Sequence, residues 1–369
     1  MVADRDRWRA VGSRFRDYLV ADAALYAAVA IFVVLALAYL LLTGKFHGPD
    51  VAATFGAYLQ LWVLDNLIVF PALFLMIGYI RITLKLNNRR ALAYRHMFSV
   101  QTLARFFAGT MMMIVAFLPF RTMFNSVKTT IPEGQGFLYD RFLADFDKAL
   151  HFGREPFEWL YAVFKHPWIL RAVEINYETI WFVICFGMQY WIVVSPKFDK
   201  IRLRYVLCYV LSWVLIGNVA ASLVSSAGPI YYAFVIGDHH RFAEIVTFMA
   251  SSEGQFAATS QFQSYLWYLY ANDLPGLGSG ISAFPSMHVA IVVMNALFLC
   301  EAGRKWIAPS VIYVLFVIAS SVYLGWHYAV DGYASAIMTV AIYFGLKKVM
   351  AVRWRLWPAR EAAPVPTSD

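Results

Sequence analysis

Charge is what this sequence has least of. Only 15% of its 369 residues are charged, against roughly a quarter in an ordinary soluble domain. That shortage excludes a disordered chain or a solvated coiled coil, both of which rely on charge to stay in water. It also excludes a nucleic-acid-binding domain with a broad basic face. Cysteine is nearly absent. Cys185, Cys208 and Cys300 each stand alone in an apolar run, with no CxxC and no Cys/His cluster. They read as reduced core residues, and no metal or other cofactor is implied. No internal repeat stands out, and no stretch has the composition of a separate soluble domain. What is present is apolar bulk: 61% hydrophobic residues, 17% aromatic ones and a mean hydropathy of +0.58. A soluble fold of this length has too little interior to hide it. The expected fold class is all-α, a polytopic transmembrane bundle.

A spanning helix needs about 20 mostly apolar residues. Eight stretches qualify, roughly 22–43, 58–80, 98–120, 173–195, 205–224, 285–302, 307–326 and 332–350. The first is too long for a signal peptide and lacks an A-x-A site, so it reads as a retained anchor. Lys and Arg set the orientation. They cluster in the N-terminal tail (Arg5 to Arg16), between Arg81 and Arg95, between Lys197 and Arg204, at Arg304 and Lys305, and from Lys347 onward. With eight spans, all these clusters fall on one side. Both termini are then cytoplasmic, the setting being an integral membrane protein of a bacterial inner membrane. The net charge of +8 is therefore mostly a topology signal. Three regions follow: residues 1–97 with a basic tail and two accessory spans, 98–350 with six core spans, and 351–369 as a cytoplasmic tail.

Two long segments face the other side. Residues 121–171 contain two helix-like stretches expected at the membrane interface; in the second, Phe157, Leu160, Tyr161 and Phe164 recur at helical spacing after Pro156. Residues 225–281 are polar and aromatic, an interfacial belt or a head-group surface.

Of eight histidines, His288 and His327 are the two at outward ends of spans. His327 precedes Asp331 by four residues, which places both on one helix face. An aspartate there orients the imidazole and leaves its other nitrogen free for attack or proton transfer. His288 follows Pro285 and Ser286 at a helix start, where free N–H groups and a hydroxyl suit an anion. The two histidines are 39 residues apart, about 58 Å of helix. Two crossings of a ~30 Å core need about the same length. The chain descends after His288, turns near Arg304, and brings His327 back to the same depth.

The segments Ala283-Phe284-Pro285-Ser286-Met287-His288 and Gly325-Trp326-His327-Tyr328-Ala329-Val330-Asp331 resemble the second and third signature motifs of the type 2 phosphatidic acid phosphatase superfamily. Ser226-Ala227-Gly228-Pro229-Ile230-Tyr231-Tyr232 is similar to the degenerate first motif of the branch that includes the inositol-phosphorylceramide synthases. Asp147 to Gly153 is similar to a segment upstream of it in that branch. The resemblance implies a six-helix catalytic core and a metal-free phosphohistidine mechanism. His327 would be the nucleophile, oriented by Asp331, and His288 the proton donor. Ser286, Gly228 and Tyr231 would hold the phosphoryl group, and Glu178 stands near the same depth as a supporting residue. The superfamily's phosphatases carry an arginine six residues before the third-motif histidine; here that position is Ser321. The first motif also lacks its cations. Arg121, Lys128, Arg154, Arg171 and Arg241 lie on the catalytic side as candidate replacements. Asp65 and Arg105, ionisable within apolar runs, read as a structural pair.

The missing cations favour a monoanionic phosphodiester over a dianionic monoester. The expected activity is therefore transfer of a phosphoryl head group from a phospholipid donor to a lipid hydroxyl acceptor in the bilayer. A lipid phosphate or polyprenyl pyrophosphate phosphatase using the same residues is the alternative, and a lipid-binding or transport protein with an unused site is a third. No nucleic acid partner is expected, and the oligomeric state is open.

Overall fold

In lipid every backbone N–H and C=O must find its partner within the segment, so long apolar runs become helices. The computed structural model describes residues 2–85, 87–133, 136–251 and 258–356, and among these there is no strand. Seven described helices are long and apolar enough to cross a membrane: Ala23–Leu42, Gly48–Lys85, Val100–Thr129, Pro167–Val194, Pro196–Leu223, Arg304–Tyr323 and Ala329–Ala351. An eighth, Met287–Ala302, is apolar but has 16 residues, about 24 Å of rise. Each expected span corresponds to one of these helices. They are numbered here in chain order, with Met287–Ala302 as the sixth. The expected C-terminal tail lies, from residue 357, outside the described residues.

Several helices run further than hydropathy suggests, and in two of them a π-bulge stands just before a proline. In the second span a π-bulge at Asp65–Val69 precedes Pro71; in the third, one at Met113–Phe117 precedes Pro119. An i→i+5 turn absorbs the bond that proline cannot donate, so the helix continues. Residues 121–129, expected in the interfacial segment, are thus the end of the third span. The N-terminal tail is also helical, Val2–Ala21, and Arg7 donates to the Phe98 carbonyl at 2.6 Å.

The bundle has two distinct ends. At one, Glu301 accepts from Arg204 and from Lys347 (2.6 Å), and Arg202 donates to the Ser195 carbonyl at 2.7 Å. Arg105 belongs to this end. It pairs at 2.5 Å with Asp22, at the junction of the N-terminal helix and the first span, and donates to the Val193 carbonyl. The expected Asp65–Arg105 pair is therefore not formed; Asp65 lies mid-span and faces a cavity. At the other end, Lys45 donates to the Thr130 carbonyl at 2.8 Å. Two short helices, Asp140–Leu150 and Pro156–Phe164, lie here, as the periodicity predicts; Phe157 and Tyr161 are buried.

Candidate functional site

Three loops meet at this second end, and backbone hydrogen bonds join them pairwise. Ala283 N–H donates to the Ser226 carbonyl (2.7 Å), Ile230 N–H to Gly325 (3.0 Å) and Ser286 N–H to Asp331 (3.3 Å). The three sequence motifs thus form one unit. Gly228 sits at its centre with φ +97°; a Cβ there would lie 2.5 Å from the Trp326 carbonyl oxygen and 3.1 Å from the Ala283 Cβ. Only glycine permits that conformation and that approach. Gly325, φ +73°, ends the seventh span and turns the chain toward His327.

His327 Nδ1 lies 3.4 Å from Asp331 Oδ2, and Asp331 is fully buried. The separation suits charge pairing and is long for a hydrogen bond; such contacts tighten when substrate arrives. Asp331 Oδ2 also accepts the Tyr328 N–H at 3.0 Å, which fixes the carboxylate across the turn. His288 stacks on Tyr177, with ring centroids 4.2 Å apart, and tilts against Trp181 at the same distance. Its Nε2 is buried without a hydrogen-bond partner.

Both histidines line one cavity of about 320 Å³ with a mainly aromatic wall, within the size range of small-ligand sites. Tyr231 and Glu178 line it too. Tyr231 contributes its ring, because its hydroxyl donates to the Gln263 carbonyl at 2.8 Å. Glu178 accepts from the Thr259 hydroxyl at 3.1 Å, tying the wall to the helix Ala258–Ala271. Ser286 and Gly228 stand behind the surface. The Ser286 hydroxyl caps the sixth span by accepting from Val289 N–H, one residue after the expected helical proline, so the helix begins at Met287. The Gly228 N–H is donated to Asp140. The donors expected to hold a phosphoryl group at Gly228 and Tyr231 are therefore already engaged.

Two of the five candidate cations reach the cavity, Arg121 and Lys128. Arg241 pairs with Asp145 and Glu155, Arg171 with Glu174, and Arg154 stacks on Trp159. The second span, expected to be accessory, supplies Tyr58, Trp62 and Asp65 to the same wall. π-bulges at 65–69, 176–180 and 213–220 carry Asp65, Tyr177, Glu178, Trp213 and Gly217 into it, in keeping with the functional bias of such bulges.

The role of the helix Asp140–Leu150 emerges only from the structure. Asp140 accepts from the N–H groups of Ala227 and Gly228, the Ser226 hydroxyl and the Tyr328 phenol. Asp147, two turns on, accepts from the N–H groups of Ala329 and Val330, at the start of the eighth span. One aspartate holds the first-motif loop and the other the third. The i, i+7 spacing of two acids on one helix face was the available signal.

Comparison with curated proteins and with solved structures returns no match. A family model described as the PAP2 superfamily matches residues 141–345. That stretch is more than half of the chain and contains all three loops, both histidines and Asp331. With the helical membrane bundle that carries them, it places the chain in the PAP2 superfamily.

Proposed function

We propose that this protein transfers a phosphoryl head group from a phospholipid to a lipid hydroxyl through a phosphohistidine. The observation that carries the reading is the meeting of His327, backed by Asp331, with His288 on one aromatic cavity walled by membrane spans. His327 Nε2 attacks phosphorus as the phosphorus–oxygen bond to the leaving group breaks. His288 gives that oxygen its proton. The acceptor hydroxyl then returns a proton to His288 as its oxygen attacks phosphorus, and the P–N bond breaks. Asp331 stabilises the imidazolium of His327 throughout. The cavity end of the bundle faces away from the cytoplasm, since the basic clusters gather at the other end.

A second reading, hydrolysis of a lipid phosphate or diphosphate, is favoured by one observation: Arg121 and Lys128 share the cavity with the histidines. Such cations would serve a dianion. Lipid mass spectrometry of membranes carrying wild type or His327→Ala tests both. The lipid that accumulates in the variant identifies the donor and the lipid that vanishes identifies the product. Unchanged lipids refute the enzyme reading. Free phosphate released by the pure protein, at a rate no acceptor lipid alters, decides for hydrolysis.

A further inference from the structure

We propose that Arg121 and Lys128 of the third span are the cations that hold the anionic head group in this cavity. The proposal rests on the phosphoryl-transfer reading above and names the source of the missing charge. Both residues precede the stretch matched to the superfamily. They are seven residues apart, two helical turns, and so share a face; both line the cavity of His288 and His327.

Neither cation is spent elsewhere. Among the described residues no carboxylate lies within 4 Å of either, and neither donates a hydrogen bond. Arg121 is 8% exposed, with its Nε buried and unpartnered. Its guanidinium lies over Trp213 (4.2 Å), Phe186 (4.5 Å) and Trp62 (5.4 Å). Aromatic faces hold a cation without consuming its N–H donors, which remain for an anion. A buried charge without a counter-ion is costly, and a bound anion removes that cost. The acids of the cavity do not serve: Glu178 is bonded to Thr259, and Asp65 pairs with neither cation.

Position along the helix divides the work. Lys128 packs against Gly280, where a Cβ would lie 2.8 Å from the Lys128 carbonyl carbon, in the segment that leads to His288; it meets the reacting phosphoryl oxygens. Arg121, about 10 Å further down the helix, meets negative charge deeper in the cavity. Trp62 completes its cage from the second span, so that span belongs to the binding site.

The test uses the full-length protein in detergent, with inorganic phosphate and dioctanoyl phosphatidic acid as probes, and reads affinity from ligand-induced thermal stabilisation, which needs no turnover. Arg121→Met and Lys128→Met replace each cation by an apolar chain that suits the aromatic wall. Each should weaken phosphatidate binding by about 10- to 100-fold, the range for a hydrogen bond to a charged group. The ligand-free Tm should stay level or rise, because an uncompensated charge has been removed. Arg154→Gln, outside the cavity, should bind as wild type does. Wild-type affinity in a methionine variant overturns the proposal for that residue. So does a collapsed ligand-free Tm, which would make the cation structural. His327→Ala separates the two levels: it should abolish turnover and keep phosphatidate affinity. Retained turnover would sink the phosphohistidine reading and leave the clamp to be judged on the binding data alone.

Discussion

Removing the Asp140 carboxylate should unfasten the end of the bundle where the motif loops meet. Its Oδ1 accepts from Gly228 N–H (2.9 Å), the Ser226 hydroxyl (3.0 Å) and the Tyr328 phenol (2.9 Å); Oδ2 accepts from Ala227 N–H (2.8 Å). The side chain is fully buried. Asp140→Ala leaves four buried donors without an acceptor, at about 1–3 kcal/mol each. Relaxation and entry of a water reduce the sum, and about 4–6 kcal/mol is expected. Asp140→Asn keeps one oxygen for the three donors on Oδ1 but turns an amide NH₂ toward Ala227 N–H, for about 2 kcal/mol. Ser226→Ala removes a single donor and should cost about 1 kcal/mol. Thermal unfolding of the purified variants in one detergent reads these differences at roughly 2 °C per kcal/mol, with turnover measured in parallel. Asp140→Ala should be the least stable, followed by Asp140→Asn and then Ser226→Ala. The reasoning is refuted if Asp140→Ala melts within about 1 °C of wild type, or no lower than Ser226→Ala.

Three further outcomes follow from the same geometry. Burial pushes the Asp147 carboxyl up to about 6, against the N–H groups of Ala329 and Val330. A carboxyl raised in the folded state stabilises the fold most below about pH 4, and that contribution is lost as the pH passes 6. Asp147→Asn should flatten this part of the Tm-against-pH curve, and an unchanged slope would count against the assignment. Gly228→Ala forces a Cβ to 2.5 Å from the Trp326 carbonyl oxygen at a left-handed φ; about 3 kcal/mol and most turnover should be lost, whereas a variant matching wild type in both would show that the loops can part freely. Arg105→Met strands Asp22, 6% exposed, for about 3–5 kcal/mol. Adding Asp22→Leu should recover most of the loss, and a Tm cycle without coupling would rule the pair out as a structural element.

Spans and histidines were legible because both depend on length. Apolar runs of about 20 residues, and a separation that equals two membrane crossings, translate directly into depth. The end of the third span was not legible. Pro119 and the polar residues Arg121, Asn125, Ser126 and Lys128 look like the start of a loop, yet the helix runs to Thr129, and of these Arg121, Asn125 and Lys128 line the cavity. Hydropathy cannot separate a polar residue facing an internal cavity from one facing water. Asp65 and Arg105 illustrate the same limit, since similar apolar surroundings did not make them neighbours. At Gly228 and Tyr231 the residue types were informative while the destination of their donors was not, because Asp140 and the Gln263 carbonyl come from distant segments.

The division of the site follows from those placements. On the proposed reading the second- and third-motif loops carry the reacting groups, while Asp140 and Asp147, on one short helix, hold the first- and third-motif loops. Much of the cavity wall comes from elsewhere: Tyr58, Trp62 and Asp65 of the second span, Arg121 and Lys128 of the third, Glu178 and Trp181 of the fourth. The second and third spans precede the stretch shared with the superfamily. If the proposed function holds, the chemistry rests on the motif loops and the choice of substrate draws on spans outside them. On the proposed reading, exchange of cavity residues in the second and third spans should alter which lipid is bound while the His327–Asp331 pair stays in place. Exchange of the motif residues should stop the reaction for every lipid alike. A second-span variant such as Trp62→Leu that changed the rates on two different phospholipids by the same factor would argue against this separation.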